Sequence, residues 1–277
     1  MNDVTKPSIA GVDTHAHIFC RDLPLAANRR YAPEYDALVE TYLSNIDSCG
    51  LSHGVLIQPS FLGTDNSFIE AALRQYPERL RAVAVVDPEI SDAELDRLDT
   101  LGFVGIRLNL IGKELEDFSA PLWQHLFSRL AQLNWQVEIQ RGFDDLYTFV
   151  PAILASGVNV VIDHFGRPGG VIDTGRADHA KSLELFASEQ MWIKLSAAYR
   201  AEADLEQAGQ MLEILRKTMG GIDRLVWGSD WPNTQFENST SYKEQFAFFT
   251  SLVTDAQEQR RILVDNAINL FRFNQTV

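Results

Sequence analysis

Eight short apolar runs alternating with amphipathic helical patterns predict a single-domain (β/α)8 barrel, an α/β fold of the TIM type, over residues 1–277. Two further observations favour a closed barrel over an open sheet. The length, 277 residues, suits the roughly 250 residues such a barrel takes. No glycine-rich dinucleotide fingerprint follows the first run. Strands are expected at 11–18, 54–58, 81–86, 104–109, 135–140, 158–163, 192–196 and 225–228. They are rich in Val and Ile and show little polar alternation, as strands buried on both faces of a parallel sheet do.

The intervening helices carry their own punctuation. Ser91-Asp92-Ala93-Glu94 reads as a capping box, with Ser91 on the Glu94 amide and Glu94 reaching back. Gly102 then ends that helix. Pro121 fits the first turn of a helix running to 133. Residues 144–155 read as a helix kinked at Pro151 and closed by Gly157. Further helices are expected at 34–49, 66–76, 177–188, 205–219, 241–252 and 256–264. No repeat, linker or low-complexity tract interrupts the pattern.

A hydrophobic content of 45% supplies a large core. The formal net charge of −14 argues against nucleic acid or an anionic membrane as partner. It does not argue against a small anionic substrate, because a few local arginines reverse the field inside a cleft. Cys20 and Cys49 form no C-x-x-C pair, so neither a disulfide framework nor a zinc ribbon is expected, and a reducing cytoplasmic location fits. Residues 1–10 do not read as a signal peptide. No apolar stretch approaches the roughly 18 residues of a membrane span.

Three segments carry chemistry. The first strand holds Asp13-Thr14-His15-Ala16-His17. Alternate side chains of a strand share a face, so His15 and His17 point the same way. Neutral imidazole either ligates a divalent metal or donates to a carbonyl oxygen. Asp163-His164-Phe165-Gly166-Arg167-Pro168 ends the sixth strand, where a turn leaves His164 and Arg167 at the rim. Trp227-Gly228-Ser229-Asp230-Trp231-Pro232 ends the eighth strand, which a closed barrel brings beside the first. Alone, each segment has a plain structural use: a satisfied histidine, or an Asp in a turn. Together they bring three imidazoles and one carboxylate to one end of three strands.

These residues resemble the amidohydrolase superfamily. With Gln58-Pro59-Ser60, Gly63-Thr64-Asp65-Asn66 and Gly105-Ile106-Arg107-Leu108-Asn109, they resemble its lactonase branch, which includes 2-pyrone-4,6-dicarboxylate lactonases and sugar-acid lactonases. The resemblance runs from Val12 to Leu270. It implies hydrolytic opening of a lactone. Asp230 accepts a proton from the attacking water, and His15, His17 and His164 supply donors to the oxyanion. No Lys or His ends the fourth or fifth strand, so a two-metal site is not expected. A single Zn²⁺ on His15, His17 and Asp230 is conceivable chemistry, but the branch implies no obligatory metal.

Carboxylates of the substrate call for planar guanidinium groups. Arg107, Arg167 and Arg200 are the candidates at strand ends, and the resemblance adds Tyr31 of the first loop. Lys113 and Gln140 stand where the dicarboxylate lactonases have an arginine and a tyrosine, with Arg141 as a nearby substitute. These two changes keep a sugar-acid lactone open as substrate. The rivals are a zinc-dependent decarboxylase of the same superfamily and a catalytically inactive ligand-binding barrel.

Overall fold

A computed structural model describes residues 9–27 and 29–273. The reading of residues 1–10 as lacking a signal peptide rests on residues 1–8, which lie outside the described residues. The expected barrel is present. β1 (Val12–Ala16), β2 (His53–Ile57), β3 (Leu80–Ala84), β4 (Phe103–Asn109), β5 (Gln136–Gln140), β6 (Asn159–Ile162), β7 (Met191–Ser196) and β8 (Leu225–Gly228) pair in sequence order, all parallel. The sheet closes through the end of β1. The Asp230 amide donates to the His15 carbonyl at 2.8 Å and the His17 amide to the Trp231 carbonyl at 2.7 Å. The buried Asp13 carboxylate staples the same seam, accepting from the Ser229 amide and hydroxyl at 2.9 and 2.6 Å.

The helices fall between the strands as α1 (Val39–Ser48), α2 (Ser67–Gln75), α3 (Asp92–Leu101), α4 (Pro121–Gln132), α5 (Leu146–Leu154), α6 (Ala177–Glu184) and α7 (Leu205–Met219), with α8 (Tyr242–Leu252), α9 (Ala256–Arg260) and α10 (Asn266–Leu270) after β8. α1 starts five residues later than expected, and α5 runs through Pro151. Ser91 caps α3, but the Glu94 carboxylate turns to Arg97 at 2.6 and 2.8 Å rather than back to the cap. A guanidinium offers two charge-assisted bonds where the Ser91 amide offers one. The complete capping box belongs to Asp204 and Gln207 of α7.

Two apolar clusters hold the barrel. The larger packs the outward faces of the strands against the helices. The smaller gathers Val12, Val55, Val83, Val104, Val161 and Val226 with Phe271 and Phe273. Residues from so many strands meet only inside the barrel, so this cluster is its floor, closed by the chain that follows α10. Above it lies a charged layer, Lys194, Glu138, Asp163 and Arg107, and above that the open C-terminal mouth. Among the described residues no helix is long and apolar enough to cross a membrane.

Candidate active site

A cavity of about 420 Å³ opens at the C-terminal ends of the strands, and His17 and Asp230 lie in its lining. Asp230 is held in a left-handed conformation (φ 57°), an uncommon state for a non-glycine residue and a mark of a constrained site. Its Oδ1 lies 3.7 Å from His15 Nε2, 3.8 Å from His17 Nε2 and 3.8 Å from His164 Nε2. Three ring nitrogens thus face one carboxylate oxygen, each just beyond hydrogen-bond length. His15, His164 and Asp230 are almost wholly buried. His164 is therefore not at the rim, as its turn suggested, but inside. The turn folds inward through left-handed residues at 164–167, which lets its Nδ1 meet Ser196 Oγ at 2.9 Å.

The other oxygen of Asp230 is taken. Its Oδ2 accepts from Tyr199 Oη and from Arg200 Nε, both at 2.5 Å. Burial alone raises the pKa of Asp230, but the opposing groups, led by the Arg200 guanidinium, more than offset it and hold the carboxyl well below its usual range. The histidines move the other way. Burial, then the charge of Arg107, lowers His17 to about 4. Burial lowers His164 to about 3. Burial and the Lys194 ammonium push His15 far below its ordinary value. All three are neutral at pH 7.

The ring partners of the first two histidines differ in kind. His17 Nδ1 lies 2.8 Å from the Ile57 carbonyl. A carbonyl only accepts, so Nδ1 carries the proton and Nε2 turns a lone pair toward Asp230. His15 Nδ1 lies 3.0 Å from Lys194 Nζ and 3.4 Å from Asp163 Oδ1. Among the described residues two groups have a ligand geometry, His15–His17–Asp230 and His15–Asp163–His164, with ligand atoms within 4.8 Å of one another.

The expected substrate residues divide. Arg167 lines the cavity, and among the described residues nothing pairs with its guanidinium; Arg200 and Arg30 are charged neighbours. Arg200 lines it too, but its Nε is on Asp230 and its Nη2 on Thr234. Arg107 is buried, donating to Asp163 at 3.1 Å and to Gln140 at 2.9 Å, so Gln140 reaches the cavity as the partner of an arginine. Tyr31 lines the rim and donates to Glu237 at 3.2 Å. Lys113 is not brought to the site. It is exposed, and its turn, closed by its amide on the Leu110 carbonyl, does not reach the cavity lining. Arg141 is tied to Asp145 and to the Leu110 and Lys113 carbonyls.

Sequence reasoning missed Tyr199, Arg30 and Lys194. Tyr199 adjoins Arg200, and Arg30 adjoins Tyr31, so sequence proximity was their only signal. Lys194 carried a better one. A lysine within a run read as buried on both faces must have buried partners.

The (β/α)8 barrel turns imidazoles from the ends of its first and sixth strands and a carboxylate from the end of its eighth onto one point. The chain belongs to the amidohydrolase family, whose model matches residues 12–273. It is 27% identical over 94% of its length to a 4-sulfomuconolactone hydrolase of Hydrogenophaga intermedia, covering 88% of that protein. It is 28% identical over 96% of its length to a 2-pyrone-4,6-dicarboxylate hydrolase of Comamonas testosteroni, covering 91% of that protein. Among solved structures, a probable 2-pyrone-4,6-dicarboxylic acid hydrolase of Acinetobacter baumannii with citric acid bound is 39% identical, with a TM-score of 0.90 over 95% of this chain and 100% of that one.

Proposed function

We propose that this chain is a cytoplasmic, single-domain hydrolase that opens the ring of a small carboxylated lactone. The observation that carries this reading is the convergence of three neutral imidazoles on Asp230 Oδ1 beside a cavity walled by arginines. The names of the two curated relatives, both hydrolases of carboxylated or sulfonated ring compounds, support the same reaction and an anionic substrate. A 2-pyrone-4,6-dicarboxylate-like lactone is the first choice. The exposed Lys113 removes one expected cation from the site, which favours a sugar-acid lactone as the second. The two free cysteines agree with a reducing compartment.

Water held between Asp230 Oδ1 and the His17 Nε2 lone pair attacks the ring carbonyl. The carbonyl oxygen gathers charge as the tetrahedral intermediate forms, and ring N–H groups beside it stabilise that charge; such donors are worth about 3–4 kcal/mol each. The proton of the water passes to Asp230 and on to the ring oxygen as its bond to the former carbonyl carbon breaks. Arg200 serves two anions in turn. Drawn toward a substrate carboxylate, it relinquishes Asp230 Oδ2, and the burial that raises the Asp230 pKa then favours proton uptake. Arg167, without a partner among the described residues, anchors the substrate anion.

No metal is required in this reading. The His15–His17–Asp230 group has the spacing for one divalent cation, which would acidify water and polarise the carbonyl. The wiring of the group does not suit it. Zinc takes the lone pair of a neutral imidazole, and with Lys194 donating to Nδ1, His15 Nε2 carries a hydrogen.

A panel of pyrone, muconolactone and aldonolactone substrates at neutral pH, with and without chelator, tests the proposal. Ring opening that survives chelation is expected. Release of CO₂ from a carboxylated aromatic substrate, with no lactone opened, would overturn it in favour of a decarboxylase. Tight ligand binding without turnover would favour a binding barrel.

A further inference from the structure

Among the described residues, Lys194 is a wholly buried cation that the reaction does not touch. It projects from β7 into the barrel, wholly buried, between the aromatic floor and the histidines. Its Nζ lies 5.7 Å from the centre of the Phe271 ring, 2.7 Å from Glu138 Oε2, 3.0 Å from His15 Nδ1 and 3.6 Å from Asp163 Oδ1. An ammonium has three donors and no acceptor. Whatever it touches at hydrogen-bond distance must accept, and at 3.0 Å that includes His15 Nδ1. The neutral His15 ring then carries its one hydrogen on Nε2, the atom facing Asp230 Oδ1. His17, with Nδ1 on a carbonyl, has the opposite arrangement. The two histidines of the H-x-H pair thus present unlike faces to the same oxygen, one an N–H and one a lone pair.

We infer that Lys194 is a positioning residue that selects the tautomer of His15, making it a hydrogen-bond donor at the reacting centre and withholding it from metal ligation. The alternative partner lies close by. Asp163 Oδ1, 3.4 Å from the same Nδ1, would draw the hydrogen to Nδ1 and free the Nε2 lone pair if the ammonium were gone. Lys194 and Asp163 form a two-way selector for His15, and removing the cation uncovers a latent divalent-cation site of His15, His17 and Asp230. Glu138 makes the selector economical to dissect, because deleting Lys194 and Glu138 together leaves no uncompensated buried charge.

This inference specifies the donor of the proposed hydrolysis, but its test does not depend on that reaction. Ring-¹⁵N-labelled protein is examined by two-bond ¹H–¹⁵N correlation spectroscopy at pH 7, the His15 ring being assigned by its loss in His15→Gln. The wild type is expected to show the Nε2–H tautomer, and an Nδ1–H signature would overturn the inference without any variant having to fold. The Lys194→Met/Glu138→Gln double variant is expected to switch His15 to Nδ1–H and to bind Zn²⁺ at least tenfold more tightly than the wild type in a competitive titration. A folded double variant with an unchanged tautomer or unchanged zinc affinity would also overturn it. If the proposed hydrolysis is wrong, both readouts stand.

Discussion

With Oδ2 of Asp230 occupied by Tyr199 and Arg200 and Oδ1 facing the imidazoles, replacing the carboxylate by an amide removes a proton acceptor and little volume. Asp230→Asn is expected to lower kcat on the lactone identified by the panel by about 10²- to 10⁴-fold with little change in KM, read by steady-state kinetics. An unchanged kcat would show that the carboxylate takes no proton. Arg167 calls for the reverse signature. Its guanidinium has no partner among the described residues, so Arg167→Met breaks no internal ion pair. It is expected to raise KM by roughly 10- to 100-fold, the loss of one charge-assisted contact, while leaving kcat within a few-fold. A fall in kcat at constant KM would place Arg167 in the chemistry and not in anchoring.

At the scale of elements, the site depends on how closely β8 approaches β1. A Cβ built on Gly228 would come 2.5 Å from His15 Cβ and 2.9 Å from the His15 amide nitrogen. Gly228→Ala therefore pushes apart the two strands that carry His15 and Asp230. The expected cost is about 1–3 kcal/mol, seen as a lower melting temperature, together with a loss of activity larger than the loss of folded protein explains. Activity in proportion to folded protein would show that the site tolerates the shift. The elements also show where sequence reasoning reaches. The eight strands were legible because doubly buried parallel strands leave continuous apolar runs. The pairing of His15 with His17 was legible because a strand fixes the direction of alternate side chains, and the approach of Asp230 to them because closure fixes which strands are neighbours; the inward turn of His164 was not. Loops obey no such periodicity. Lys113 and Arg141 follow strand ends as Arg200 does, yet one turn carries Lys113 into solvent and backbone carbonyls capture Arg141. Whether Arg200 meets a substrate or Asp230, 30 residues away in sequence, depends on how two loops fold over the mouth, which chain order does not reveal.

The whole molecule is stacked in three levels along the barrel axis: an aromatic and valine floor, a charged layer, and a wet mouth. This stacking keeps several histidines neutral. His17 and His53 are lowered to about 4 and His164 to about 3, each chiefly by burial, so between about pH 6.5 and pH 4 the unfolded chain binds more protons than the folded one. Stability therefore falls as pH falls through that window. Asp13 and Glu138, raised by burial to about 6 and about 7, have the opposite sign, between pH 6 and 3.8 and between pH 7 and 4.5, but they are two groups against three. A melting temperature clearly lower at pH 5 than at pH 7 is expected by calorimetry; an equal or higher value at pH 5 would show that the histidines are not held neutral. The floor has a consequence for biosynthesis. Phe271 and Phe273 lie beyond β8 in sequence, so the ring of valines stays uncovered until every strand has been made. A ribosome that stalls before residue 271 leaves an open-bottomed cylinder with its greasiest surface facing water, a natural substrate for chaperones and proteases.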